Sequence, residues 1–129
     1  MAIPIFPLKK FDLNVEGEPQ HKYYASVKAS GEDSLNDVIR KVEAISSASG
    51  ADVTIVILSL MEVMQRSLEE GRIVKLGRMG SFRISVSSKG ETDPAKINAR
   101  SVRRSRIIYQ PDKELKPWLD GLKFTKAKR

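Results

Sequence analysis

The sequence predicts an α+β fold: short strands, two helices, a β-hairpin, a basic strand and a short closing helix, in that order. Three observations carry this reading. Apolar residues recur at helical spacing over 35–45 and again over 53–68. The stretch IVKLGRMGSFRISV, residues 73–86, instead alternates apolar and polar residues around two glycines. Turn-forming clusters, SSASG and SSKGETDPAKINA, separate the patterns. At 129 residues the chain reads as one domain, short enough that a core shared with a second copy would help its stability.

The elements follow in order. Segments near 3–11 and 21–29 are rich in aromatic and β-branched residues and bracket a Gly/Pro-rich turn that includes Pro19; Pro4 and Pro7 confine the first to a sheet edge or a loop. From Ser34 the period changes, and Leu35, Val38, Ile39, Val42 and Ile45 form one stripe, with Ser34 and Asp37 spaced as a capping box. Ser49 and Asp52 repeat that signal, so a second helix begins after SSASG and runs to Gly71. Its stripe, Val53, Val56, Ile57, Leu60, Met61, Met64 and Leu68, is widened by Ile55, Leu58 and Val63, which asks for burial on more than one side.

In the hairpin Val74, Leu76, Phe82, Ile84 and Val86 are the inward candidates, and Gly77 and Gly80 permit a tight turn. DPAKINA reads as a turn followed by a short helix, which makes a compact cap the alternative to a long arm. RSVRRSRIIYQ then returns as a basic strand with Arg100, Val102, Arg104 and Arg106 on one face and Arg103 on the other. Leu115, Trp118, Leu119 and Leu122 outline a closing helix; Pro111 suits its first turn, Pro117 would kink or shorten it, and Trp118 belongs to the core. FTKAKR reads as a frayed basic tail.

Charge is segregated. Residues 1–71 carry 7 Lys and Arg against 11 Asp and Glu, while residues 72–129 carry 16 against 5, so the net +7 arises entirely in the second half. Clustered cations of this kind favour a polyanion, nucleic acid before a membrane surface. The absence of cysteine excludes disulfides and thiolate sites and favours a reducing compartment, the cytoplasm. No signal-peptide pattern or membrane-spanning apolar run is expected. His21 has no grouped metal ligands, and Asp12, Glu16, Glu18, Glu32 and Asp33 are too scattered for a carboxylate pair. Neither an enzyme nor a cofactor or small-molecule site is expected. Tyr23 and Tyr24 serve the extra sheet, one in and one out, and Met61, Met64 and Met79 fill a core or dimer interface.

Two helices, VKLGRMGSF, a basic β-ribbon and YQPDKELKPWL together resemble the HU and integration-host-factor family of bacterial histone-like DNA-binding proteins. The added N-terminal strands, KYYA, VKLGRMGSFRISVSSKG and the closing PDKELK…LKF look like the longer HU-related subgroup of Bacteroidetes. The resemblance implies an HU-like intertwined homodimer, with residues 1–31 as a β extension, 32–124 as the DNA-binding domain and 125–129 as a tail. It also implies two β-ribbon arms that clasp double-stranded DNA from the minor groove, with Pro94 the nearest counterpart of an intercalating wedge. Met79 stands where an aromatic is usual, and Ser85 and Ser87 stand where arginines are usual; the cations have moved to the returning strand.

Lys113 and Lys116 match family lysines that approach the phosphate backbone. With Lys75, Arg78, Arg83, Lys89, Arg100, Arg103, Arg104 and Arg106 they make up the expected DNA-contacting set. The expected function is DNA binding without sequence preference, as a nucleoid-associated protein condensing DNA in the cytoplasm, because phosphate contacts carry no base information. Two rivals remain open: an HU fold turned to structural or protein-partner binding through its N-terminal strands, and RNA binding.

Overall fold

The computed structural model describes residues 1–12 and 20–128, so the expected turn with Pro19, and with it Glu16 and Glu18, lies outside the described residues. Two helices connect two small sheets. Helix α1, Leu35–Ile45, starts at Ser34, whose hydroxyl accepts from the Asp37 amide at 3.2 Å while the Ser34 amide donates to the Asp37 carboxylate at 2.9 Å. The Ser34 amide and hydroxyl, with the Arg40 guanidinium, hold the Asp37 carboxyl below the ordinary carboxylate range. Helix α2, Gly50–Glu69, starts the same way at Ser49, which accepts from the Asp52 amide at 3.1 Å. Both helices therefore begin where the capping signals predict.

The first sheet consists of β1, Ile3–Asp12; β2, Gln20–Val27; and β6, Phe124–Lys126, in the order β2-β1-β6. β1 runs antiparallel to β2 and parallel to β6. This corrects the expectation that prolines keep the first strand at an edge or in a loop: over Ile3–Ile5 it is the central strand. The prolines are tolerated because of where their missing donors fall. Pro4 lies at the end of the β2 pairing, where its carbonyl still accepts from Lys28, and Pro7 lies beyond the last residue paired with β6. The expected frayed tail is likewise corrected, since Phe124–Lys126 is a strand, held by Ile3 N–H to the Lys123 carbonyl and Ala127 N–H to the Ile5 carbonyl, both 2.8 Å.

The second sheet is ordered β3-β4-β5, with β3 at Val74–Lys75, β4 at Ser81–Ser88 and β5 at Val102–Gln110. A 3-10 turn, Gly77–Met79, joins the first two strands. Between β4 and β5 the chain forms a compact cap. Pro94–Lys96 and Ala99–Ser101 are 3-10 turns, capped by Asp93 and Asn98, and the Lys89 amide closes the loop on the Ser101 carbonyl at 2.8 Å. Of the two sequence alternatives for this segment, the cap is the one present.

The closing helix is short, as expected: a 3-10 turn at Lys113–Leu115 runs into α3, Lys116–Asp120, with Pro117 in its first turn. Trp118 is 61% exposed, which overturns its placement in the core.

Among the described residues Ile39, Val53 and Leu68 are the buried apolar ones, and Ile55, Leu58 and Val63 on α2 stand in solvent. Val74, Leu76 and Phe82 are half-buried, whereas Ile84 and Val86, expected inward, are exposed. Tyr23 and Tyr24 occupy opposite faces of the first sheet, as strand geometry requires, yet both are exposed, as are Met61 and Met79. The accessible surface is 11509 Å², against roughly 6800 Å² for a compact monomer of this mass by the usual scaling. The expected core is thus largely uncovered in the single chain. No helix among the described residues is long and apolar enough to cross a membrane.

Candidate nucleic-acid interface

The β4–β5 ribbon has two chemically distinct faces, and the pairing register sorts them. Phe82 pairs with Tyr109, Ile84 with Ile107 and Val86 with Ser105, which gives one apolar face. Arg83 pairs with Ile108, Ser85 with Arg106 and Ser87 with Arg104, which places three arginines on the other. The serines that replace the usual arginines of the outgoing strand therefore lie directly opposite the arginines of the returning one. A small residue there leaves each guanidinium free of a like charge across the ladder.

A bulge alters the expected arrangement of the returning strand. Ser87 pairs with Arg104 but Ser88 with Val102, so Arg103 has no opposite residue and the side-chain parity shifts at that point. Val102 consequently joins the apolar face instead of sharing one with Arg104 and Arg106. Arg100 lies outside the strand, in the Ala99–Ser101 turn.

At the base of the ribbon a groove of about 760 Å³ collects Lys75, Arg78, Arg83 and Lys113. Two glycine positions bring its walls together. Gly77 has φ +54° and Gly80 φ +115°, and a Cβ on Gly80 would meet the Gln110 carbonyl oxygen at 2.2 Å. The Tyr109 hydroxyl donates to the Met79 carbonyl and the Tyr109 ring packs 5.0 Å from that of Phe82, which fixes the turn against β5. Asp112 and Glu114 also line the groove, but the Asp112 carboxylate is occupied in capping the Glu114 amide at 3.1 Å.

Ion pairing distinguishes the cations around the two helices from those of the ribbon and the groove. Arg40, Lys41, Arg66 and Arg72 are each paired with a carboxylate close in sequence. Lys89 approaches Glu91 at 3.7 Å. Among the described residues Lys75, Arg78, Arg83, Arg100, Arg103, Arg104, Arg106, Lys113 and Lys116 have no such partner.

Arg83 belongs to both groups and links the ribbon arginines to the groove. Lys89 and Arg100 lie at the cap end of the ribbon, away from that groove lining, and Pro94 is the exposed first residue of a 3-10 turn. Sequence reasoning missed Gln110, which shares the arginine face and lines the groove, and Lys96 in the cap. The signal for Gln110 was the strand alternation itself, counted back from Ile108 and Arg106.

A family model for an HU domain fused to wHTH, Ig, or Glycine-rich motif, HU-HIG, matches residues 1–126. The chain belongs to the HU-HIG family. The match includes the first sheet as well as the helices and ribbon, so the N-terminal strands fall within the HU-HIG match. A solved structure from Bacteroides vulgatus ATCC 8482, assigned as a bacterial DNA-binding protein, has a similar fold, with a TM-score of 0.65 and 11% sequence identity. The similarity covers 95% of this chain and 47% of the other, so this chain spans about half that protein's length. No curated protein matches the sequence.

Proposed function

We propose that this HU-HIG protein binds double-stranded DNA with little sequence preference, as a homodimeric architectural protein of the nucleoid in the cytoplasm. One observation carries the reading: Arg83, Arg104 and Arg106 lie without an ion-pair partner on one ribbon face, and Lys75, Arg78 and Lys113 lie likewise around the groove beneath it. An unpaired surface guanidinium keeps its full attraction for phosphate, and each phosphate it neutralises releases condensed counterions. Neighbouring positions on one strand face repeat about every 6.8 Å, so Arg104 and Arg106 present regularly spaced charges to a backbone.

Lys75, Arg78, Arg83, Lys113 and Lys116 supply the saddle under the ribbon, and Arg100, Arg103 and Lys89 extend it towards the cap. Pro94 serves the cap as a turn residue, and phosphate binding needs no wedge from it. The apolar face of the ribbon and the solvent-facing side of α2 supply the surface for the second copy. The activity proposed is binding, with no catalytic step.

The test is fluorescence anisotropy of a random-sequence duplex titrated with the protein across a salt series. The logarithm of affinity should fall linearly with the logarithm of salt, with a slope of about 0.9 per phosphate contacted. Salt-independent binding, or none at low salt, sinks the proposal. An RNA duplex competing better than the DNA duplex would turn it towards the RNA reading, since the two grooves differ in shape.

A further inference from the structure

We infer that one face of the first sheet is a separate site for single-stranded DNA, with Tyr23 and Phe11 as base-stacking platforms and Lys9 and Lys126 as phosphate contacts. The register places these groups together. Ile3 pairs with Phe124, Ile5 with both Val27 and Lys126, Pro7 with Ala25, Lys9 with Tyr23 and Phe11 with His21, and all lie on one face. Tyr23 is 65% exposed, Phe11 50% and Phe124 53%. Among the described residues of this face there is no Asp or Glu, and Lys9 and Lys126 are in no ion pair.

The spacing suits a strand with unstacked bases. Tyr23 and Phe11 are diagonal neighbours across β2 and β1, about 7–8 Å apart at the backbone, with Lys9 opposite Tyr23 and two residues before Phe11. His21 meets the Phe11 ring edge-on at 5.1 Å and steadies it. Beside Tyr23 a shallow trough of about 260 Å³ runs to Lys126, over Ile5, Pro7 and Ala25. Small, flat and apolar residues on the floor let a base lie flat between an aromatic ring and a cation.

The opposite face is less suited, because Lys10 already covers the Tyr24 ring at 5.8 Å. Exposed aromatics interleaved with cations are the chemistry by which unpaired bases and their backbone are held together. An apolar floor offers no partner to a ribose 2′-hydroxyl, which favours DNA over RNA. This site shares no residue with the duplex surface and does not depend on it.

The test uses the full chain and a fluorescent twelve-nucleotide oligothymidine at low salt, beside the duplex. Tyr23→Ala and Phe11→Ala should each weaken oligothymidine binding about tenfold and leave duplex affinity unchanged. Tyr23→Phe, which keeps the ring, should bind as the parent does. Arg104→Ala with Arg106→Ala should show the reverse selectivity. Four results overturn the inference: no oligothymidine binding by the parent, Tyr23→Ala binding as the parent does, tighter binding of oligouridine, or parallel loss of both ligands in Tyr23→Ala. A fall in oligomeric mass in Tyr23→Ala would also overturn it and assign the face to contacts between copies.

Discussion

Gly80 sets how closely the hairpin turn approaches the end of β5. A side chain there would collide with the Gln110 carbonyl, the Pro111 Cα and the Asp112 amide, all of them backbone and none able to rotate away. Gly77 has the same left-handed sign of φ but open space around it. The two positions therefore separate strain from collision. Gly77→Ala should cost about 1–2 kcal/mol, the left-handed penalty alone, while Gly80→Ala should cost roughly 2–4 kcal/mol because overpacking is added. Urea denaturation checks the order, and equal costs at the two sites would contradict it. Because Gln110, Pro111 and Asp112 wall the groove, Gly80→Ala should also weaken duplex binding.

At the scale of elements, the ribbon works by dividing its faces. Arg104→Ala and Arg106→Ala should each lower the salt slope of duplex binding by about 1 and weaken all sequences alike. Arg40→Ala should leave that slope unchanged, because Arg40 is already engaged with Asp37 on α1. Helices were the legible elements: a serine with an acid three residues on, followed by a periodic stripe, is a local signal, and both starts fall where it predicts. The arginine faces were only partly legible. A bulge is a pairing event between two strands, and one residue inserted at Arg103 moves Val102 to the other side without altering the local sequence pattern.

The first strand misled for a similar reason. Proline forbids a donor, but whether a donor was needed depends on how far the neighbouring strand extends. Trp118 misled because helical spacing places it on a stripe with Leu115 and Leu122, yet in so short a helix those two are half-buried while Trp118 stays exposed.

The whole molecule is marked by the surface it leaves open. Three buried apolar residues among the described ones are few, and the exposed apolar residues of α2 and of the ribbon face both ask for cover. Sedimentation should therefore give twice the 14.4 kDa chain mass. Leu58→Asp, a change at a residue exposed in the single chain, should shift the protein towards monomer and lower its melting temperature by several degrees. An unchanged mass and melting temperature would remove α2 from the interface.

The pairing of the first strand with the last has a mechanical meaning. β1 and β6 run parallel, so tension between the two ends of the described chain slides one strand along the other. The bonds Ile3 to Lys123 and Ala127 to Ile5 then share the load side by side. The antiparallel β4–β5 ribbon, pulled apart at Ser81 and Gln110, would instead open one rung at a time. β1 and β6 are thus clasped in shear, while the cationic ribbon is the part that can peel.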